Sequence, residues 1–466
     1  MIPVGLTLQP DAAFLDLLAD VIRREADYYE VAPETLWRVS DPAEADLHEN
    51  GFHRRFADLA RTTGRPFVAH GVGWSLGTEA AADAGRRARW LAAVRRDQAT
   101  FRFRWYTDHL GVSAPAGLAA GLPLPLPMSA HSAAVARRAL RAMQAVVADV
   151  GVENSVSYFV LGDPLDEPRF LGRVLQAPRT HLLLDLHNVY TMAQNFGFEP
   201  AEYVARLDLA RVIEIHVSGG SPSDPGWLPS GRVLRLDGHD DAVPEPVWRL
   251  LEEVAPRCPN LRGVTLERME GTVHGADDAA AVREELRRAR RVLGQRGGTP
   301  VTRAGAGAGA DREAAGAAGA AGTEGAAGAA GAAGAAGEGA PARGARLAGA
   351  QAHARYEEVV ARAMTAADPV AALRDAAADP ALPAALRRAL RGADEDGVQM
   401  SALLVARLRF ERLLRGSPEA EAWFDRDPAS FSAAFRRYHA EVPPAAFFPS
   451  GEARLFRGWL AAQPPR

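Results

Sequence analysis

Eight short apolar segments recur along the first part of the chain, with a connection after each that is long enough for a crossover. These strand candidates cover residues 4–9, 28–33, 67–72, 103–110, 150–156, 180–189, 212–219 and 262–269. Apolar residues at helical spacing mark segments 11–26, 132–150, 245–255 and 277–293 between them. Strands that alternate with helical crossovers pair in parallel. Eight of them within about 290 residues therefore predict an α/β fold, a closed (β/α)8 TIM barrel.

An open, doubly wound parallel sheet is the alternative, since it is built from the same alternation of strands and helices. Such sheets often bind a nucleotide through a glycine-rich loop after the first strand. The residues that follow segment 4–9 contain no such loop. The closed barrel is therefore the preferred prediction.

A compositional break separates the predicted barrel from the rest of the chain. Residues 299–350 repeat a Gly-Ala-Ala unit and have almost no large apolar side chains, so burial cannot offset the entropy lost on ordering. Apolar residues return at helical spacing beyond this segment, where Ser417 is an expected helix N-cap. We predict a barrel domain at 1–298, a flexible Gly/Ala-rich linker at 299–350 and a small all-α domain at 351–466.

The overall composition excludes several kinds of partner and site. A formal net charge of −4 does not indicate a basic surface for nucleic acid. The single cysteine, Cys258, excludes an intrachain disulfide and a cysteine-based metal site. No apolar run is long enough to span a membrane, and no basic start with an apolar core marks a secretion signal. We therefore expect a cytoplasmic protein that binds neither nucleic acid nor a membrane.

Polar side chains with metal-binding groups stand at or just after the predicted strand ends. In chain order they are His70, Asp108, His109, Glu153, Asn154, Asp185, His187, Asn188, His216, Asp237, His239, Asp240 and Glu267. Functional residues of TIM barrels gather at the carboxyl ends of the strands. A single His on a strand is usually a core residue, and a single Asp at a strand end is usually a helix cap. Recurrence on successive strands favours one shared site.

This set combines imidazole, carboxylate and amide groups without a thiolate. Such donors suit iron, manganese or zinc, and the residue types alone do not choose among the three metals. The number of donors exceeds what one ion takes, so we expect more than one ion, with a carboxylate such as Glu153 able to bridge two. A buried carboxylate such as Asp185 would otherwise carry a large desolvation cost, which a bound cation offsets.

Seven stretches, in the same order along the chain, resemble the multinuclear non-haem iron-dependent oxidative enzymes, a bacterial family that modifies ribosomally made peptides. The stretches are "HGVGWSLG" (70–77), "YTDHLG" (106–111), "VENSVSY" (152–158), "LLLDLHNVYTMAQNFG" (182–197), "EIHVSGG" (214–220), "DGHDDAVPEPVW" (237–248) and "TLER" (265–268). The resemblance covers most of residues 1–295. It implies a xylose-isomerase-like barrel that holds two or three irons and uses dioxygen to oxidise a peptide side chain, often cysteine.

The resemblance also implies a set of iron ligands, carried over by position. They are His70, His109, Glu153, Asp185, Asn188, His216, Asp237, His239 and Glu267. His187 stands where many relatives have Asn and is a further candidate. Two positions depart from the family pattern. Thr107-Asp108-His109 replaces Ser-Glu-His, and Met269 replaces a common Asp, which puts one contact to the ligands in doubt.

The resemblance also implies which molecules the protein binds. A ribosomal precursor peptide is the expected substrate, and relatives usually act with a small protein that recognises it. We hypothesise that the helical domain at 351–466 takes that role within the same chain, held at high effective concentration by the linker. An unrelated helical appendage is the alternative for this domain.

Two other functions are compatible with the sequence. A metal-dependent hydrolase or isomerase of the xylose-isomerase or apurinic-endonuclease type would use His, Asp and Glu around two or three ions without a redox step. The near-neutral charge speaks against the nuclease branch. A non-enzymatic scaffold would need none of the predicted ligands, so the full set of donors argues against it.

Overall fold

The computed structural model describes residues 2–39, 46–294 and 343–463. The predicted linker lies outside these ranges up to residue 342, and a helix already begins at Arg343, inside the segment predicted as linker. Among the helices of the described ranges, none is long and apolar enough to cross a membrane.

Eight parallel strands close into the predicted barrel. They are β1 (Val4–Thr7), β2 (Tyr28–Val31), β5 (Phe67–Gly71), β6 (Tyr106–His109), β7 (Val150–Glu153), β8 (Thr180–Asp185), β9 (Val212–Val217) and β10 (Gly263–Leu266). The strands follow one another around the barrel in sequence order, and β1 pairs with both β2 and β10 to close it. A separate antiparallel pair, β3 (Trp37–Arg38) and β4 (His48–Glu49), follows β2. The prediction of a closed barrel rather than an open sheet is confirmed.

Helices form the crossovers. They are α1 (Ala12–Leu17), α2 (Ala19–Arg24), α3 (Gly51–Thr63), α4 (Ala80–Phe101), α5 (Ala130–Gln144), α6 (Glu167–Val174), α7 (Leu186–Phe196), α8 (Pro200–Ala205), α9 (Glu245–Val254) and α10 (Ala276–Gly294). Short 3-10 turns lie at Pro33–Leu36, Pro115–Gly117, Pro164–Asp166, Leu209–Arg211, Pro225–Trp227 and Ala255–Arg257. The predicted helix 11–26 is divided into α1 and α2 because Leu18 has a non-helical backbone, with φ −94° and ψ 7°.

Strand register places polar side chains at one level of the barrel. Asp185 is opposite His216 on the neighbouring strand, and His109 is opposite Glu153. The predicted strand 180–189 is too long, because Asp185 ends β8 and caps α7: its Oδ1 accepts a hydrogen bond from the Asn188 N–H at 2.6 Å. Asn188 therefore lies in the first turn of α7, next to the end of β8.

The C-terminal part is helical, as predicted, and we call residues 343–463 the helical module. Its helices are α11 (Arg343–Ala363), α12 (Pro369–Ala376), α13 (Ala384–Arg391), α14 (Glu395–Gly416), α15 (Pro418–Arg426), α16 (Pro428–Glu441) and α17 (Pro449–Ala461). Aromatic side chains, including Phe431, Tyr438 and Phe456, form a core within the module. The Ser417 hydroxyl accepts from the Ala420 N–H at 3.2 Å, which confirms the predicted cap of α15.

The module packs on loops at the carboxyl end of the barrel. His353 Nε2 lies 2.7 Å from the Gly77 carbonyl oxygen in the loop after β5. The carboxylate of Glu357 accepts from the backbone N–H groups of Glu79, at 2.7 Å, and Ala116, at 3.3 Å. Both of these polar side chains on α11 are buried. The module therefore covers part of the face where the candidate ligands gather.

Candidate metal centre

Glu153, at the end of β7, lies at the middle of the predicted ligands. Its Oε2 is 3.0 Å from His109 Nε2 and 3.5 Å from His70 Nε2. Its Oε1 is 3.8 Å from His216 Nδ1 and accepts from the Asn188 amide at 3.4 Å. One carboxylate thus faces three imidazoles and one amide, and its two oxygens point to different neighbours.

His216, on β9, brings a second group of carboxylates together. Its Nδ1 is 3.1 Å from Glu267 Oε2 and 4.0 Å from Asp185 Oδ2. Ligand atoms of Glu153, Asp185, His216 and Glu267 all lie within 4.8 Å of one another, as do those of His70, Glu153 and His216. The two groups share Glu153 and His216, so the arrangement can hold more than one cation.

Asp237 and His239 extend the cluster from the long loop after β9. His239 Nε2 lies 2.8 Å from Asp237 Oδ1 and 3.5 Å from Glu267 Oε2. His187 also faces this end, with its Nδ1 3.5 Å from Asp237 Oδ1. His239 has a left-handed backbone, with φ 50°, a strained conformation for a non-glycine residue that is typical of functional sites. Glu267 Oε2 lies close to both His239 and His216, so it joins the loop residues to the rest of the cluster.

Most donor atoms of this cluster face one another at ion-pair distance but form no hydrogen bond of suitable geometry. Within the described part of the chain, eight of the nine predicted ligands each have a buried side-chain atom without a hydrogen bond. These atoms are His70 Nε2, Glu153 Oε2, Asp185 Oδ2, Asn188 Oδ1, His216 Nδ1, Asp237 Oδ1, His239 Nε2 and Glu267 Oε2. Buried polar atoms are almost always satisfied in folded proteins, so such a concentration marks a place for a bound species. Nitrogen and oxygen donors in this mixture fit transition-metal cations.

The cluster is also electrostatically unusual. Burial raises the pKa of Asp185 well above its usual value, and the neighbouring charges of Glu153 and Glu267 raise it further. Burial alone would lower the pKa of His109, but the carboxylate of Glu153 outweighs burial and raises the pKa to about 10. Without a cation, protons therefore balance the carboxylates of this site.

Contacts behind the ligands orient the imidazole rings. His70 Nδ1 lies 3.0 Å from the Thr107 hydroxyl, and His109 Nδ1 lies 3.1 Å from the Gly71 carbonyl oxygen. His216 Nε2 lies 3.0 Å from Glu30 Oε2, on the side of the ring away from the cluster. Each ring therefore has one nitrogen held by the protein and the other directed at the cluster, the usual arrangement of metal-bound histidines.

Glu30 and Glu214 are buried acidic residues that the sequence analysis did not select. Together with His216 they form a further group with ligand atoms within 4.8 Å. Glu214 accepts hydrogen bonds from Trp105 Nε1 at 2.6 Å and from the Tyr28 hydroxyl at 3.0 Å. Burial and the charge of Glu30 raise the pKa of Glu214 to about 7. The available signal was a single Glu within each of two apolar strand segments.

Three polar residues selected at the strand ends have other partners. Asp108 Oδ2 accepts from the Tyr106 hydroxyl at 3.2 Å and from the Trp74 N–H at 3.3 Å. Asn154 exchanges two hydrogen bonds of 2.9 Å with the backbone of Asp185, which fixes the end of β8. Asp240 is exposed and accepts from the Ser221 N–H at 2.8 Å. These three residues support the loops around the cluster.

The opposite end of the barrel has a different character. A cavity of about 600 Å³ lies there, lined by residues such as Trp105, Arg104 and Arg262. Asp149, also in its lining, is paired with Arg179 at 3.0 Å and with Arg262 at 3.2 Å. None of the predicted ligands lines this cavity. Charge pairs thus lie at this end of the barrel, whereas the candidate ligands gather at the other end.

Solved structures that this chain resembles include an L-ribulose 3-epimerase and an endonuclease IV. L-ribulose 3-epimerase has a TM-score of 0.39 and 12% identity, covering 64% of this chain and 94% of its own. Endonuclease IV from Thermus thermophilus has a TM-score of 0.36 and 17% identity, covering 63% of this chain and 99% of its own. Scores of this size carry no functional argument, and the barrel assignment rests on the strand order described above.

Sequence relatives have higher identity. A UPF0276 protein of Caulobacter vibrioides is 33% identical over 234 residues, which are 50% of this chain and 78% of that protein. A UPF0276 protein of Pseudomonas aeruginosa is 32% identical over 243 residues, 52% of this chain and 77% of its own. Residues 4–293, which contain the barrel and all the predicted ligands, match the family described as "RiPP precursor modification enzyme MbnB/TglH/ChrH". The chain therefore belongs to the MbnB/TglH/ChrH family of RiPP precursor modification enzymes.

Proposed function

We propose that this protein uses two or three iron ions and dioxygen to oxidise a side chain of a ribosomally synthesised precursor peptide, with cysteine as the target residue. The observation that carries the proposal is the set of eight buried donor atoms without hydrogen bonds around Glu153 and His216. Membership of a family that modifies precursor peptides supplies the substrate class. Donors without a thiolate fit non-haem iron.

The residues that would hold the ions are the nine predicted ligands, with His187 as a further candidate. Glu153 and Glu267 each face two parts of the cluster, so these carboxylates are suited to bridge neighbouring ions. Iron bound there supplies redox chemistry with dioxygen as the oxidant. The carboxylates neutralise the cationic charge, while the oriented imidazoles fix where each donor points.

Substrate access is set by the exposure of the ligands. The side chains of His109, Asp237 and His239 are 13%, 17% and 16% exposed, whereas those of His216 and Asp185 are fully buried. A peptide side chain would therefore approach from the side of His109 and Asp237, whose side chains keep some exposure to solvent. The buried side keeps its donors protected from water.

The test is the metal content of protein purified and kept anaerobic, combined with Mössbauer spectra before and after oxygen. We expect two or more irons per chain and spectra that change with oxygen and with an added cysteine-containing precursor peptide. Zinc or manganese alone, with no oxygen response after reconstitution with iron, would exclude the oxidative function. A metal-dependent hydrolase or isomerase would then be the better assignment, since its donor set is the same.

We infer in addition that the helical module serves in peptide recognition. It has its own aromatic core and packs at the carboxyl end of the barrel, beside the candidate centre. A photo-crosslinking residue in place of Leu403 on α14, which is 36% exposed, tests this in the full-length protein. We expect capture of the precursor peptide there and none from Leu17 on α1, which is 37% exposed. Equal labelling at both positions would contradict a recognition role.

A further inference from the structure

Two of the candidate ligands lie on a loop rather than on a strand. We call residues 218–244, between β9 and α9, the ligand loop; it contains Asp237 and His239. It has little regular structure, apart from the 3-10 turn Pro225–Trp227 and an isolated bridge between Pro222 and Arg235. A loop of this length needs contacts from outside to hold two ligands in fixed positions.

Helix α14 of the helical module supplies such contacts at its first turn. Asp394, the N-cap of α14, receives two hydrogen bonds from Arg232 of the ligand loop, at 2.8 and 3.0 Å. Arg232 also donates to the Asn195 carbonyl oxygen on α7 at 2.8 Å. The Ser230 hydroxyl donates to Asp396 at 2.7 Å. The loop is thereby attached to the module on one side and to the barrel on the other.

One face of α14 continues this contact along the helix. Gly397, Met400, Leu404 and Arg407 recur at helical spacing. Met400 is fully buried in a cluster that includes Leu228 and Leu234 of the ligand loop, with Leu404 packed against it. The Arg407 guanidinium lies over the ring of Trp227, 5.1 Å from its centre. Met400, Leu404 and Arg407 on this face of α14 therefore pack against the ligand loop.

Gly397 provides the closest approach. A Cβ atom at this position would overlap with the backbone carbonyl of Tyr158, in the loop after β7. The Tyr158 side chain belongs to the same apolar cluster as Met400, and its hydroxyl accepts from the Asp237 N–H at 3.4 Å. A chain of contacts thus runs from the α14 backbone through Tyr158 to a candidate ligand.

We propose that α14 is a clamp on the ligand loop and that retention of the metal ion bound by Asp237 and His239 depends on the docked helical module. The inference rests on the proposed function for the identity of the ligands. The clamp itself rests on contacts that are independent of any ion. The module thus holds the loop that carries two candidate ligands, in addition to its inferred role in recognition.

The test compares two glycine substitutions in the full-length protein. Gly397→Val forces α14 away from Tyr158, whereas Gly458→Val, on the exposed side of α17 in the same module, has nothing within 4 Å of its new Cβ. Metal per chain is measured after anaerobic iron loading. Amide hydrogen exchange is measured on the metal-free protein. We expect Gly397→Val to lose the ion of Asp237 and His239 and to exchange faster in residues 218–244, with Gly458→Val unchanged in both.

Asp394→Ser is a milder variant that keeps a side-chain cap for the Gly397 N–H but removes the ion pair with Arg232. Asp394→Ser is expected to lower the metal content and to speed up amide exchange in residues 218–244, as Gly397→Val does, but by a smaller amount. Unchanged exchange in β7 and β8 excludes general misfolding as the cause. Retention of all metal and normal loop exchange in both α14 variants would overturn the proposal.

Failure of the proposed function has a different signature. In that case wild type and all variants hold no iron, and the claim that metal retention depends on the docked module is lost as well. The exchange measurement still decides the clamp, because it uses metal-free protein. Faster loop exchange in Gly397→Val than in Gly458→Val supports the clamp, and equal exchange rejects it.

Discussion

Glu30 Oε2 lies 3.0 Å from His216 Nε2, and both side chains are fully buried. The other nitrogen of the ring, Nδ1, faces Glu153, Asp185 and Glu267. The Thr7 hydroxyl donates to the second oxygen of Glu30 at 2.7 Å and fixes its orientation. An imidazole that donates from Nε2 to Glu30 presents Nδ1 to a cation, and the carboxylate increases the basicity of that nitrogen.

Substitution of Glu30 by Gln is expected to weaken metal binding without removing a ligand. Loss of a carboxylate behind a ligating histidine typically lowers metal affinity by roughly 10–100-fold. Competition with a chelator measures the affinity, and the Mössbauer parameters of the remaining iron report the changed histidine. Thr7→Val, which removes only the hydroxyl that orients Glu30, should give a smaller shift in the same direction. Wild-type affinity in Glu30→Gln would show that His216 needs no carboxylate behind it.

Glu153 is expected to be the ligand whose loss is most damaging. It belongs to two of the three groups around His216, so Glu153→Gln replaces a carboxylate shared by those two groups with a neutral amide. We expect a clear loss of bound metal per chain in anaerobically loaded protein, measured by elemental analysis. Glu199→Gln, at an exposed position just before α8, is the control, because this carboxylate lies outside the cluster. Equal metal content in the two variants would contradict a bridging role for Glu153.

The barrel was predictable because each strand has a local signal. Apolar segments such as 212–219 and 262–269 are short, separated by helical patterns, and fall close to the observed β9 and β10. The boundaries were less predictable where a polar side chain ends an element. At β8 the sequence stays apolar up to Leu186, apart from Asp185 itself, yet the strand ends at Asp185 because its carboxylate caps the next helix.

The positions of the candidate ligands could be predicted where the side chains stand at strand ends or in motifs that resemble the family, and the structure brings these side chains together. Glu30 and Glu214 were missed because each lies inside a strand, where a single Glu gives no sign of facing inward. The contact between α14 and the ligand loop was also beyond sequence reasoning. It joins residues more than a hundred positions apart, such as Arg232 and Asp394, and no local pattern specifies such pairs.

Glu167 is expected to make stability depend on pH. Burial and the nearby charge of Glu153 raise its pKa from 4.5 to about 7, although the Tyr203 hydroxyl donates to it at 2.7 Å. The folded protein therefore keeps this proton up to about pH 7, whereas the unfolded chain releases it near pH 4.5. The free energy of unfolding consequently falls as pH rises between these two values, because the charged form is disfavoured in the fold.

Glu167→Gln removes this pH-dependent loss of stability, and its side-chain oxygen can still accept a hydrogen bond from the Tyr203 hydroxyl. The variant should gain thermal stability over wild type as pH rises from 4.5 to about 7, and the difference should level off above that range. Thermal denaturation of metal-free protein across this range measures it. Glu199→Gln, an exposed position just before α8, should show no such pH-dependent difference. A constant offset between Glu167→Gln and wild type at all pH values would exclude titration of this carboxyl.

The helical module contains a buried ion pair. Arg409 Nε donates to Glu452 Oε1 at 2.7 Å, and both side chains are fully buried. Arg409 also donates to the Val442 carbonyl oxygen at 2.7 Å, and the Tyr438 hydroxyl donates to Glu452. The pair joins α14 to α17 and to the end of α16. Its removal therefore affects the packing of the helix that contacts the ligand loop.

Glu452→Gln is expected to destabilise the module by about 3–5 kcal/mol, because it leaves the Arg409 charge buried without a counter-charge. The double substitution Arg409→Met with Glu452→Leu replaces the pair by apolar side chains of similar length and should be less damaging than the single change. Amide exchange in α14 and α17 gives the local free energy of opening for each variant. If Glu452→Gln opened no more readily than wild type, the pair would contribute nothing to the module. The ranking of the single and double variants separates the cost of an isolated charge from the loss of packing.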